Sequence, residues 1–229
     1  MEEDLKPIEY KFILLGDSSV GKSSIFQRLS GCPFNECNST TIGMEKIILK
    51  FKNVQIDEDV QQNFQILLID TAGQERYKSI AKTYFKDSQG IVLIYSIIDK
   101  TSFEHIQIWL DSIKDSLSDW KRSGYMVMLL GNKLDIVEEN KEKRVILTEE
   151  AEKICSEQDI YWGGECSAKS FDENQLKEIF KKFVKEIYLK LGNDFISNSN
   201  KQIIRLMAKK KKTKKYKRTC IDKCIEAKV

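Results

Sequence analysis

The chain of 229 residues contains one histidine, no long apolar run and no paired-cysteine motif. Its longest apolar stretches, such as residues 91–98, are far too short to cross a bilayer, which takes about 20 residues. Residues 1–4, MEED, lack the basic and apolar regions of a signal peptide. The six cysteines form neither a C-x-x-C pair nor a zinc-like spacing with His105. We therefore expect free thiols and a cytoplasmic location.

Charge is distributed unevenly along the chain. Residues 193–229 carry twelve Lys and Arg against three Asp and Glu, a net charge of +9, so the total of +3 leaves −6 for residues 1–192. Such a dense basic segment should stay disordered on its own. The composition thus predicts one folded domain over residues 1–192 and a disordered basic tail over residues 193–229.

One short motif carries the strongest chemical signal. Residues 16–23, GDSSVGKS, fit the phosphate-binding pattern G-x-x-x-x-G-K-[ST] and lie between an apolar predicted strand and a predicted helix. The glycines let the backbone curl so that amide N–H groups face inward, and the helix N-terminus adds partial positive charge. Lys22 would reach the β- and γ-phosphates of a nucleotide, and the Ser23 hydroxyl would bind Mg²⁺.

Hydrophobic patterning predicts strands alternating with helices. The predicted strands are 12–15, 46–51, 64–69, 91–95, 126–130 and 160–166, and the predicted helices are 24–29, 77–87, 102–120, 148–158 and 172–191. Residues 46–51 and 64–69 form a hairpin with a long polar connection over residues 52–63. The alternation implies an α/β fold with a mostly parallel sheet covered on both faces.

Three more motifs follow predicted strands: residues 70–74 (DTAGQ), 132–135 (NKLD) and 167–169 (SAK). With the phosphate loop, they resemble the motifs of Ras-like small GTPases, most closely the Rab family, over about residues 8–191. The resemblance implies a P-loop small G domain with a six-stranded sheet and helices on both faces. It also implies GTP hydrolysis and switching between GTP and GDP states, with a role in vesicle-mediated transport.

The resemblance assigns metal-binding and catalytic roles. Ser23, Thr41 and Asp70 match the residues that hold Mg²⁺, with Thr41 closing on it only when the γ-phosphate is present. Gln74 matches the glutamine that orients the attacking water, and Lys22 and Thr41 complete the catalytic set. No residue resembles a built-in arginine finger, so we expect slow intrinsic turnover that an activating protein accelerates.

The base would be read by the two later motifs. A carboxylate at Asp135 can accept both N–H donors on the Watson–Crick edge of guanine, whereas adenine presents another pattern. Asn132 would bond base or loop atoms, and the Ala168 amide would donate to the guanine carbonyl oxygen. The nucleotide-binding residues implied by these motifs are Ser18, Ser19, Val20, Gly21, Lys22, Ser23, Ser24, Phe34, Thr41, Gly73, Asn132, Lys133, Asp135, Ser167, Ala168 and Lys169.

The sequence departs from the Rab pattern at its protein-binding surface. Lys46 stands where Rab proteins typically carry Phe, and Ile69 stands where they carry Trp. With Tyr84, these positions form the aromatic cluster that many Rab effectors recognise. The family implies effectors, an exchange factor and an activating protein as partners of a monomer, but the usual effector surface is altered.

The tail departs from the family as well. Rab chains normally end in prenylated cysteines, whereas Cys224 here lies two residues upstream of the C-a-a-X position, which Glu226 occupies. The basic run at residues 209–218 predicts attraction to an anionic membrane, with palmitoylation of Cys220 or Cys224 as a second anchor. We favour a peripheral protein on the cytosolic face of endomembranes. The alternative is a soluble or nuclear guanine-nucleotide-dependent module whose tail binds nucleic acid or import receptors.

Four ring side chains outside these motifs receive structural interpretations. We interpret His105 as a surface or structural residue, since no Ser or Cys pattern accompanies it. We interpret Trp109, with Trp120 and Trp162, as a packing residue.

Overall fold

The fold is described by a computed structural model over residues 6–35, 44–71, 87–116 and 124–191. The strands are β1 (Ile8–Leu15), β2 (Glu45–Gln55), β3 (Gln61–Asp70), β4 (Gly90–Ser96), β5 (Met126–Asn132) and β6 (Tyr161–Glu165). The helices are α1 (Lys22–Leu29), α2 (Lys100–Glu104), α3 (Ile106–Ser116), α4 (Leu134–Glu139), α5 (Thr148–Gln158) and α6 (Glu173–Leu191), with a 3-10 turn at Lys141–Lys143. None of these described helices is long and apolar enough to cross a membrane.

The strands form a six-stranded sheet in the order β2-β3-β1-β4-β5-β6. Only β2 runs antiparallel to its neighbour, and the other four pairings are parallel. The predicted mostly parallel sheet is thus confirmed. Five strands therefore end at one edge of the sheet, which is where ligands bind in open α/β folds.

The sheet is buried on both faces. Phe12 and Leu14 face one apolar core, which α1 and α6 cover, while Ile13 and Leu15 face a second core, which α3 and α5 cover. The strands can therefore be apolar at successive positions, as parallel strands buried on both faces require. The predicted helices on both faces are confirmed.

The predicted hairpin has longer strands and a shorter connection than expected. Strands β2 and β3 extend to Gln55 and Gln61, so residues 56–60 connect them instead of residues 52–63. The register shifts between Phe51 and Val54, where Asn53 has a φ of 51°. This bulge returns Val54 to the core, and an edge strand tolerates polar side chains on its exposed face.

Two helices also differ from the prediction. The helix expected over residues 102–120 is divided at His105 into α2 and α3, and residues 117–120 lie outside the described part. The Asp99 carboxylate caps α2 by accepting from the amides of Thr101 and Ser102, so that helix begins before the predicted start. Helix α4 was not predicted because six residues carry little periodic signal. The expected helix over residues 77–87 lies, except for Asp87, outside the described residues.

Candidate functional site

The phosphate-loop motif joins β1 to α1, as predicted. Its backbone turns through positive φ at Gly16 (133°), Ser19 (65°) and Gly21 (102°). A Cβ on Gly16 would lie 2.1 Å from the Ile94 carbonyl oxygen, and one on Gly21 would lie 2.1 Å from Asn132 Nδ2. These two glycines therefore let the loop pass close to β4 and β5, in a conformation that side chains disfavour.

Lys22 is buried at the first residue of α1. Its Nζ donates to the carbonyl oxygens of Gly16 and Asp17, both at 2.7 Å. Two of the three N–H donors of the ammonium group thus hold it inside the loop. The cation and the N-terminus of α1 place positive charge at the same point, which suits a bound anion.

The Asn132 side chain connects three loops that are distant in sequence. Its Nδ2 donates to the Val20 carbonyl oxygen at 2.8 Å, and its Oδ1 accepts from the Ala168 amide at 3.1 Å. Asn132 therefore bonds loop atoms, one of the two roles expected for it. The Ala168 amide thus donates to Asn132. Its expected bond to a base carbonyl oxygen stays a prediction.

Asp135 is fixed by the segment that follows β6. The buried Ser167 hydroxyl donates to Asp135 Oδ1 at 2.6 Å and accepts from the amides of Lys169 (3.1 Å) and Ser170 (2.9 Å). Asp135 Oδ2 makes no hydrogen bond to any residue in the described ranges. Lys133, with a φ of 75°, turns the chain from β5 into α4 and so places Asp135 opposite Ser167.

The predicted metal-binding acid lies at the same edge of the sheet. Asp70 is fully buried at the end of β3 and lies opposite Leu14 of β1 in the sheet register. The next residue, Thr71, donates its hydroxyl to the Leu14 carbonyl oxygen at 3.2 Å. The end of β3 is therefore attached to the strand that leads into the phosphate loop, whose Ser23 and Ser24 stand in the first turn of α1.

Two arginines secure the surrounding loops, and sequence reasoning missed both. The Arg28 guanidinium donates to the Phe171 carbonyl oxygen at 2.6 and 3.2 Å, linking α1 to the segment after Ser167. Arg144 forms two hydrogen bonds of 2.6 Å with Glu165, the last residue of β6, and this pairing raises the pKa of Arg144. The base-side loop is thus held from both ends.

Phe34, a predicted nucleotide-binding residue, is half-buried and packs against the core beneath α1 and α6.

Comparison with known proteins establishes the family. A model of the Ras family matches residues 11–189. The chain belongs to the Ras family. It is similar to Ras-related protein Rab-13 of Bos taurus, with 36% identity over 192 residues, covering 84% of this chain and 86% of the relative. GTP-binding protein YPT52 of Saccharomyces cerevisiae is 33% identical over 216 residues (86% and 89%). Ras-related protein Rab-1 of Theileria annulata is 31% identical over 221 residues (96% and 91%).

This Ras-family chain is a divergent Rab-like small GTPase, a GTP hydrolase, as the motifs predicted. The structure brings the phosphate-loop residues, Asp70, and the two base-side motifs to one edge of the sheet. Three expected site residues, Thr41, Gly73 and Gln74, lie outside the described residues, as does the tail over residues 193–229.

One contact at the Ras-family phosphate loop was not predicted. Asp17 receives a hydrogen bond from the Trp109 indole Nε1 at 2.9 Å and lies 2.6 Å from Nδ1 of His105. Asp17 is separated from His105 by 88 positions and from Trp109 by 92, so no local pattern connects it to them. Their only shared signal is that His105 and Trp109 stand four residues apart, on one face of a helix.

Proposed function

We propose that this Rab-like GTPase binds GTP and GDP with Mg²⁺, hydrolyses GTP slowly and acts as a switch in vesicle-mediated transport. The observation that carries the proposal is the link made by Asn132 between the phosphate loop and the Ala168 segment. With the bond from Ser167 to Asp135, this link joins the phosphate loop and its Lys22 cation to a carboxylate suited to a base in one hydrogen-bonded site. A nucleotide carries both a polyphosphate and a base, so it matches both.

Guanine is the base that Asp135 would select. One oxygen of the Asp135 carboxylate accepts a hydrogen bond from the Ser167 hydroxyl, and the residue is partly exposed at the start of α4. A carboxylate accepts hydrogen bonds and donates none, so it pairs with the two N–H donors of guanine. Adenine presents no such pair of donors on that edge.

The oxygen donors suit Mg²⁺. This ion prefers hard oxygen ligands and is usually bound by one or two carboxylates together with substrate phosphates. Ser23 and Asp70 supply a hydroxyl and a carboxylate at the edge of the sheet, and Thr41 would add a second hydroxyl. When bound, the ion would neutralise charge that develops on the β- and γ-phosphate oxygens.

Hydrolysis requires a positioned water and charge neutralisation rather than covalent catalysis. Lys22 would hold the β- and γ-phosphates from its position on the loop carbonyls. Gln74 would orient the water. The Thr41 and Gly73 contacts to the γ-phosphate would be lost on hydrolysis, which would release the two segments that carry these residues. Because no residue of the sequence resembles a built-in arginine finger, the rate would be slow until an activating protein contributes one.

The cellular role rests on the family and on the tail. The Rab names of the relatives favour a peripheral protein on the cytosolic face of endomembranes, monomeric and controlled by an exchange factor and effectors. Near an anionic leaflet each Lys or Arg contributes about 1 kcal/mol, so a tail with a net charge of +9 would add several kcal/mol of attraction. Nuclear accumulation that is lost when residues 209–212 are changed to alanine would instead favour the soluble or nuclear role.

Nucleotide selectivity provides the test. Titration of full-length protein with fluorescent GDP, in competition with ATP, GTP and XTP, measures which base is bound. Asp135→Asn should lose affinity for GDP and gain relative affinity for XTP, because an amide can donate to the additional xanthine carbonyl. Glu138→Gln, which removes an exposed carboxylate from the same helix, is the matched control and should bind GDP normally. Equal binding of ATP and GTP by the wild type would contradict the proposal.

A further inference from the structure

Asp17 of the phosphate loop is bonded to His105, which lies between α2 and α3, and to Trp109 of α3. Both oxygens of the Asp17 carboxylate are engaged there: Oδ1 accepts from Trp109 Nε1 at 2.9 Å, and Oδ2 lies 2.6 Å from His105 Nδ1. Asp17 is the second residue of the motif and contributes neither a glycine turn nor a hydroxyl ligand. Its side chain points away from the cradle toward these two rings.

The same residue also holds the cation of the site. The Asp17 carbonyl oxygen accepts from Lys22 Nζ at 2.7 Å. The carboxylate of Asp17 therefore faces α3 while its carbonyl oxygen faces the ammonium group of Lys22. Loss of the two ring contacts would leave residue 17 freer to move, and its carbonyl oxygen is one of the two that position the ammonium group.

The local backbone explains why both rings reach one carboxylate. His105 lies at the break between α2 and α3, yet its carbonyl oxygen accepts from the Trp109 amide at 3.0 Å. That bond keeps the two side chains one helical turn apart on the same face. The side chains of His105 and Asp17 are 42% and 24% exposed, so solvent reaches the pair and its effect should be moderate.

We propose that His105 and Trp109 are positioning residues that clamp Asp17 and thereby slow the release of nucleotide from the phosphate loop. This inference rests on the proposed nucleotide-binding function. The clamp acts through Asp17 and Lys22, and neither ring has to touch the nucleotide. Its effect should therefore appear in the dissociation rate of GDP and should depend on the presence of the Asp17 carboxylate.

The experiment measures GDP dissociation from full-length protein, with fluorescent GDP displaced by excess unlabelled GDP. His105→Ala and Trp109→Phe should each accelerate GDP release by about three- to tenfold. Each change removes one partly exposed hydrogen bond to the Asp17 carboxylate, and the loss of such a bond has an effect of this size. His105→Gln retains an N–H donor and should stay within about twofold of the wild type. Gln107→Ala, an exposed change on α3 that removes only a contact with Asp111, is the matched control.

A double-mutant cycle separates the clamp from general packing. If His105 acts through the Asp17 carboxylate, His105→Ala should have no further effect on release in an Asp17→Ala background. Urea unfolding of each nucleotide-free variant shows whether the fold is retained. Unchanged release in folded His105→Ala and Trp109→Phe, or effects that simply add to those of Asp17→Ala, would overturn the clamp while leaving nucleotide binding intact. If the wild type captures no GDP, the proposed function fails, and the clamp's role in nucleotide retention fails with it.

Discussion

Replacing Ser167 with alanine would remove a buried hydroxyl that makes three hydrogen bonds beside the proposed base site. The bond to the Asp135 carboxylate, at 2.6 Å, is charge-assisted, and such bonds contribute roughly 1.5–3 kcal/mol. The amides of Lys169 and Ser170 would also lose their acceptor, although water can reach this exposed turn. We expect the free energy of unfolding of the nucleotide-free protein to fall by about 1–3 kcal/mol.

The same substitution should weaken GDP binding. Without the Ser167 hydroxyl, the Asp135 carboxylate would be fixed only when the nucleotide binds. Part of the free energy of the lost Ser167–Asp135 bond would therefore be subtracted from the binding free energy of GDP. A loss of about 1.4 kcal/mol corresponds to a tenfold higher Kd.

Fluorescence titration with GDP and urea unfolding without nucleotide measure the two effects separately. Ser170→Ala, an exposed change in the same turn, is the matched control and should alter neither quantity. A Ser167→Ala protein with the wild-type Kd and the wild-type unfolding free energy would refute the assignment of Ser167 as the residue that orients Asp135.

Two further predictions concern the loop and the sheet. Gly21→Ala should lower the free energy of unfolding by roughly 1–3 kcal/mol and weaken GDP binding. The reason is that Gly21 has a φ of 102° and that the new Cβ would displace the Asn132 side-chain amide. Wild-type values in urea unfolding and in GDP titration would contradict this prediction. Burial lowers the pKa of Lys11 from its ordinary 10.5 to about 8, so between those pH values the unfolded chain holds more protons than the folded one. The contribution of Lys11 to the free energy of unfolding should therefore rise as the pH rises from about 8 to 10.5. In Lys11→Met, the rise in the free energy of unfolding should be smaller by up to about 3 kcal/mol. Urea unfolding of both proteins at pH 7 to 10 measures the difference, and identical pH profiles would contradict it.

The sheet and the two cores were predictable because the strands are apolar at successive positions and alternate with amphipathic segments. The limits of β2 and β3 were not, because β2 is an edge strand that accepts polar residues, the bulge at Asn53 interrupts its alternation, and the polar start of β3 pairs with the end of β2. The division of the predicted helix at His105 was also not predictable, since the apolar spacing runs through α2 and α3 without interruption.

The positions of the candidate site residues in the fold were predictable where one continuous motif follows a strand, while their roles toward a nucleotide stay predictions. The motifs identified the phosphate loop, Asp70, Asp135 and the Ala168 segment, and their family assignment is confirmed by the Ras-family match. The contacts between motifs could not be read from sequence, because Asn132 meets Val20 across 112 positions and His105 meets Asp17 across 88. The roles of Thr41 and Gln74 stay predictions, as do the limits of the folded domain at residue 192.

The central claim, a slow GTPase switch built on these motifs, is tested most directly by single-turnover hydrolysis of GTP bound to the full-length protein with Mg²⁺. The wild type should convert bound GTP to GDP slowly. Gln74→Leu should bind GTP as tightly, but hydrolyse it more slowly, because the attacking water loses the residue that orients it. Equal hydrolysis rates for wild type and Gln74→Leu, at equal nucleotide occupancy, would contradict this mechanism.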